Sequence, residues 1–166
     1  MDTHVPQIFQ PAVKDCDRLS LVGNENPIPY INRYKNAVHF VDQLVGKDLA
    51  LLRQKQLLKN TVVIITADHG EEFNDEHLGY WGHASAYDPY QTKVPLIIYW
   101  PNHYPRVVRH RTSHYDIVPT LMKNVLGCVS PVKDYSVGVP ILSHQLRSFL
   151  IIGSYVDYAI LHHHQI

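Results

Sequence analysis

Asp68 and His69 stand side by side in the run Thr66-Ala67-Asp68-His69-Gly70-Glu71-Glu72. A carboxylate oxygen next to a neutral imidazole nitrogen suits a borderline divalent ion. The residues just before them, Thr61-Val-Val-Ile-Ile-Thr-Ala67, form a continuous β-branched run. Such a run reads as a strand buried on both faces, as in a parallel sheet. Ligands gather at the carboxyl ends of strands in α/β sheets, so the pair falls where an ion would sit. Gly70 is expected to let the chain turn sharply right after the two side chains. The dipeptide alone fits a capped loop equally well, with Asp68 satisfying backbone N–H groups and His69 solvated. Its place after the strand favours the metal.

His83 lies further along the same polar stretch, in Gly79-Tyr-Trp-Gly-His-Ala-Ser85. Folded back over Asp68 and His69, it would ligate a second ion or stabilise a substrate oxyanion. Taken alone, a loop histidine is more often just exposed. His4, in Asp2-Thr-His-Val-Pro6, is weaker still by itself and reads as part of a frayed terminus. Glu71 and Glu72 would tune His69 from behind or be solvated loop charges, the second reading being favoured for at least one. Asp116 reads as a helix cap and dipole partner, and His39 with Asp42 as a structural i, i+3 pair on a helix.

These residues need a scaffold. From about Pro29, Ile31, Tyr34, Val38, Val41, Val45, Leu49 and Leu52 recur at spacings of three and four, the stripe of a long amphipathic helix. Lys59-Asn60 is its expected stop. The β-branched run follows, then a polar loop over residues 68–93, longer than a loop without a role is expected to be. Val94-Pro-Leu-Ile-Ile-Tyr-Trp100 reads as a second strand and Arg106 to His110 as a short edge strand. Ser113 and Asp116 resemble a capping box opening a helix that runs to Leu126, with Gly127 as its stop. Phe149 to Leu161 reads as a hairpin around Gly153-Ser154. Residues 1–29 are irregular.

The bulk composition excludes several classes. Fifteen basic and fifteen acidic residues balance over 166 positions, so no basic stripe invites nucleic acid. No apolar run approaches the ~20 residues that span a bilayer, and no charged-then-apolar leader opens the chain. Cys16 and Cys128 are too few for a disulfide framework. The histidine run at 162–164 is set apart as a tail, leaving residues 1–161 as one partial domain.

The order of these segments resembles the sulfatase branch of the alkaline phosphatase superfamily. Leu58-Lys-Asn-Thr-Val-Val-Ile-Ile-Thr-Ala-Asp-His-Gly-Glu71 is followed by Gly82-His83. Then come Thr92-Lys-Val-Pro-Leu-Ile-Ile98, Trp100-Pro101 and Ser113-His-Tyr-Asp-Ile-Val-Pro-Thr-Leu121. Each motif is weak alone; five in order are specific. Ala67 to Asn74, Leu78 to His83 and Pro89 to Thr92 are similar to the YejM/PbgA-type subgroup of inner-membrane sulfatase-like proteins. The resemblance covers about residues 1–161. It implies an α/β, three-layer alkaline-phosphatase-like fold, present as its C-terminal half, with a mainly parallel sheet and a C-terminal hairpin. It implies that Asp68 and His69 are metal ligands, for Mn, Zn or Mg. It implies that His4 contacts the oxygens of a phosphate- or sulfate-ester substrate, and that His83 sits beside the metal and contacts those oxygens or binds a second ion.

Family members carry an N-terminal half that supplies the nucleophile and the first carboxylate ligand. Neither Cys16 nor any Ser or Thr here stands in the family's nucleophile context. The resemblance therefore implies the metal-binding half of a phosphoryl or sulfuryl hydrolase or transferase, with little turnover by this chain alone. The other readings are a non-catalytic module sensing anionic lipid or lipopolysaccharide at the periplasmic face of the inner membrane, and a gene remnant.

Overall fold

The computed structural model describes residues 26–84, 86–143, 145, 147–154 and 157–162. They divide into two compact units. One runs to His103 and includes Gly153–Asp157; the other holds Tyr104–Ile152 and the chain from Tyr158 onward.

The first unit begins with α1, Ile28–Gln54, with Pro27 as its N-cap and Pro29 in its first turn. Proline fits there because the first N–H groups of a helix have no partner within it. The helix stops before Lys59: Gln56 takes φ 58°, and Leu58–Asn60 forms a separate 3₁₀ turn. The apolar stripe is half-buried except at Val38, and Ala37 is the helix residue most enclosed. Tyr30 and Tyr34, one turn apart on one face, carry the specific contacts. Tyr30 meets Trp81 edge-on at 5.4 Å and Tyr34 meets Phe73 edge-on at 5.4 Å. His39 meets the side chain of Gln43, at 3.1 Å, rather than only flanking Asp42.

Strand β1, Val63–Thr66, ends just before the Asp-His pair. Its partner is β4, Leu96–Tyr99, in antiparallel register with Val63 opposite Tyr99 and Thr66 opposite Leu96. The parallel pairing expected from the β-branched run is not what these two strands adopt. The chain between them holds a short ribbon and a four-residue helix, not the crossover helix that returns a chain to parallel pairing. Nor is β1 buried on both faces: Val63 to Ile65 are half-buried and Thr66 is exposed. The stretch 68–93, expected as a loop, contains β2 (Glu72–Phe73), β3 (Trp81–Gly82) and α2 (Pro89–Thr92).

In the second unit, Ser113 and Asp116 form the expected capping box, opening a 3₁₀ turn that leads into α3, Ile117–Asn124. The helix ends at Asn124 with Val125 as its C-cap, before the expected Leu126; beyond it Gly127 takes φ 64° and Cys128 N–H donates to Met122 O at 2.8 Å. Asp116 does more than cap. Its carboxylate accepts from Ser113 N at 2.8 Å and Val139 N at 2.7 Å, and it pairs with the Arg147 guanidinium. Thr120 Oγ1 donates to Asp116 O and accepts from Ile141 N at 2.8 Å. Val139, Ile141 and Arg147 are thus fastened to the start of α3. Arg106 to His110 are irregular rather than an edge strand. β5 (Phe149–Gly153) pairs with β6 (Tyr158–His162). The link between them is longer than the two residues expected. No described helix is long and apolar enough to cross a membrane.

Asp116 and Arg147 leave only 3% and 11% of their side chains exposed. Removing one partner strands the other charge away from water. Asp116→Ala should therefore lower unfolding stability by about 3–5 kcal/mol, read from urea denaturation followed by circular dichroism.

Candidate metal centre

Antiparallel register creates the site. Glu72 stands opposite Gly82 and Phe73 opposite Trp81, so the residue before Glu72 and the residue after Gly82 face one another. They are Glu71 and His83, and His83 Nδ1 lies 3.1 Å from Glu71 Oε2. Gly82 takes φ 84°, and a Cβ there would come 3.7 Å from Glu71 Oε1. The turn that carries the chain past Glu71 thus uses a conformation natural to glycine. Ala84, at φ 59°, continues in the left-handed region that a Cβ disfavours.

His69 enters from the end of β1. Its ring stacks on that of His83 at 4.1 Å with an interplanar angle of 26°. Its Nδ1 lies 2.8 Å from Gly70 O. A carbonyl only accepts, so in the neutral ring Nδ1 carries the proton and Nε2 the lone pair. That Nε2 is 3.7 Å from Asp68 Oδ2. Asp68 Oδ1 accepts from His69 N–H at 3.0 Å, and the Asp68 side chain is 75% exposed.

The sequence-derived residues therefore fall into three groups. His69 and His83 come together. Asp68 stands beside His69 at the rim. His4 lies outside the described residues. Glu71, expected in part as a solvated charge, is 9% exposed and joins the two histidines. His69, Glu71 and His83 each offer one ligand atom, all within 4.8 Å of one another. Two imidazoles and a carboxylate are a donor set that suits zinc or another borderline divalent ion. Spacing along the chain hid Glu71; only the pairing of β2 with β3 reveals it.

A buried polar layer supports the loop from below. Glu72 is fully buried and accepts from Gln91 Nε2 at 2.6 Å. Asp88 caps α2, accepting from Tyr90 N at 2.7 Å and Gln91 N at 3.0 Å, with Pro89 in the first turn. Asp88-Pro89 was the sequence signal for this helix. Burial pushes the Glu72 carboxyl up to about 7; Gln91 opposes the rise, and Asp88 and Asp75 add to it. Glu72 Oε1 is buried without a hydrogen-bond partner. Tyr34 is also held above the usual phenol range, by burial and by the negative charges of Glu71 and Asp68. It is a neutral phenol packed beside the site, read in the sequence only as part of a helix stripe.

Gly70 acts by close approach rather than by a sharp turn. Its N–H donates to Gln91 O at 2.8 Å, and a Cβ would fall 1.9 Å from Tyr90 O. Gly70→Ala should cost at least about 1–3 kcal/mol, seen as a fall of about 2–4 °C in Tm for each kcal/mol. Glu72 generates a pH dependence. Its folded carboxyl titrates near 7 against 4.5 unfolded, so its contribution is complete below pH 4.5 and is lost as pH rises through 7. Over that window stability should fall by up to about 1.4 kcal/mol per pH unit. Glu72→Gln mimics the protonated acid and should remove this slope, making the variant the more stable protein above pH 7 in paired denaturant titrations.

The sulfatase family matches the chain over residues 1–127. The chain is 31% identical over 123 residues to the inner membrane protein YejM of Salmonella typhimurium, a span of 74% of this chain and 20% of that protein. It is 41% identical over 83 residues to the uncharacterized sulfatase YidJ of Escherichia coli, covering 50% of this chain and 16% of YidJ. It is 25% identical over 134 residues to a choline-sulfatase of Rhizobium meliloti, covering 80% of this chain and 26% of that enzyme. The chain thus spans about a quarter or less of these relatives. A match over residues 1–127, which take in α1, the candidate metal loop and α3, makes this chain a member of the sulfatase family.

Proposed function

We propose that this chain is the metal-binding part of a domain that hydrolyses or transfers a phosphate or sulfate ester. The observation that carries the reading is the stacking of His69 and His83, 4.1 Å apart, at the end of β1 beside Asp68. Asp68 and His69 would hold a divalent ion, Mn, Zn or Mg. That ion would lower the pKa of the attacking nucleophile and hold the anionic oxygens of the substrate. His83, oriented by Glu71, would donate to a non-bridging oxygen as charge builds there. His4, by the family resemblance, would do the same. Gly70, clasped by α2, fixes the spacing between His69 and Glu71. The nucleophile and a further carboxylate ligand would come from the N-terminal part of the domain. There β1 and β4 would join the mainly parallel sheet of a three-layer fold.

Likeness to an inner membrane protein favours one second reading. In it the module faces the periplasm and binds anionic lipid without catalysis. Lipid affinity would then survive Asp68→Ala.

The test joins this chain to a sulfatase-family N-terminal part that carries a nucleophile and follows an aryl sulfate and an aryl phosphate with Mn²⁺ or Zn²⁺. Turnover of one ester is expected. Asp68→Ala and His69→Ala should reduce it to background, and His83→Ala should lower kcat by about 10²–10³-fold. Turnover unaffected by Asp68→Ala would reject the assignment.

A further inference from the structure

We infer that residues 106–110 are a docking edge, to which an acidic, extended segment of a partner protein adds as a β-strand. The inference uses nothing at the metal centre and goes beyond the hydrolase reading.

The segment Tyr104-Pro-Arg-Val-Val-Arg-His110 has the composition of a short strand, with two adjacent β-branched residues. Pro105 stands at its start, where a strand tolerates proline. The segment is nevertheless irregular. Among the described residues, no backbone N–H or C=O from Tyr104 to His110 is hydrogen-bonded. Its side chains are open as well: Tyr104 is 94% exposed and Val107 74%, and Arg106 and Arg109 are exposed. Its far end is held, because the Arg111 guanidinium donates to Leu161 O of β6 at 3.2 Å. Open backbone groups beside strand-forming side chains are the template that strand addition uses.

Charge selects the occupant. Among the described residues, neither Arg106 nor Arg109 has an ion pair. The unit that holds the segment carries Arg106, Arg109, Arg111, Lys123, Lys133 and Arg147 against Asp116 and Asp134. Asp116 is already paired with Arg147. An acidic strand answers that excess of cations.

A second copy of this chain does not. Parallel pairing in register sets each arginine against its own kind. Antiparallel pairing of Val107 with Val108 sets Arg106 against Arg109. Like charges across a strand pair are unfavourable.

A lipid surface fits less well than a strand. Once the segment is extended, Arg106, Val108 and His110 fall on one side and Val107, Arg109 and Arg111 on the other. Each side then mixes apolar and cationic groups, whereas docking on a membrane surface needs the apolar groups gathered on one side. Acidic side chains of a paired strand meet cations on both sides.

The probe is a fluorescein-labelled peptide of alternating glutamate and valine, titrated into the full chain and followed by fluorescence anisotropy. Beside it run the same peptide with lysine in place of glutamate, and vesicles of phosphatidylglycerol and phosphatidylcholine. The acidic peptide should bind and the lysine peptide should not. Amide hydrogen exchange at 106–110 should slow in the acidic complex. Arg106→Glu with Arg109→Glu should weaken binding by about tenfold or more. Val107→Pro removes one backbone donor while keeping every charge, and should weaken it about three- to tenfold. Both variants alter exposed positions of an unpaired segment, so the test does not depend on a core residue. Exchange unchanged at 106–110, or peptide affinity indifferent to either variant, overturns the inference. So does binding of the vesicles without binding of the peptide. None of these outcomes bears on ester turnover in the joined domain.

Discussion

The pairing of Glu72 with Gly82 is the constraint on which the site depends. Side chains alternate across a strand pair, so a slip by one residue would send every one of them to the other face. With the register as it stands, Glu71 and His83 share a face and Glu72 points to the opposite, buried side. Aromatic anchors hold that register: Phe73 and Trp81 are cross-strand partners, and each meets a tyrosine of α1. A two-residue ladder is too short to define itself by backbone bonds alone. The helix supplies what the ladder lacks.

Two adjacent glutamates follow opposite electrostatic logic for the same reason. Glu72 faces Gln91 and the carboxylates of Asp88 and Asp75, away from water, and its neutral form is favoured. Glu71 faces an imidazole, and its negative charge is felt by Tyr34. The loop thus favours the neutral form of one carboxyl group and presents the other to the histidines. Gly70 ties the two faces together, because its backbone touches that of α2 with no room for a side chain.

Local chemistry was legible in the sequence where neighbours along the chain decide the outcome. Pro29 marked the start of α1, Ser113 and Asp116 the capping box, and Asp68-His69 the end of β1. Pairing was not legible. A β-branched run states that a strand exists but not the direction of its neighbour, and β1 met β4 head to tail. Glu71 looked like a loop charge because its partner lies twelve positions away across a ribbon that composition does not announce. Asp116 read as a cap, yet its ion pair with Arg147 spans thirty-one residues.

That contrast explains how a chain covering a fifth of a relative such as YejM builds a coherent site. His69, Glu71 and His83 all fall on one short segment, and so do the Glu72, Asp88 and Gln91 groups beneath them. Contacts this close in sequence carry a small loop-closure cost, which grows only slowly with the number of residues enclosed. The α1 tyrosines reach in from farther away, and they pack edge-on against Trp81 and Phe73. The ligand geometry is therefore a property of the loop and its small ribbon.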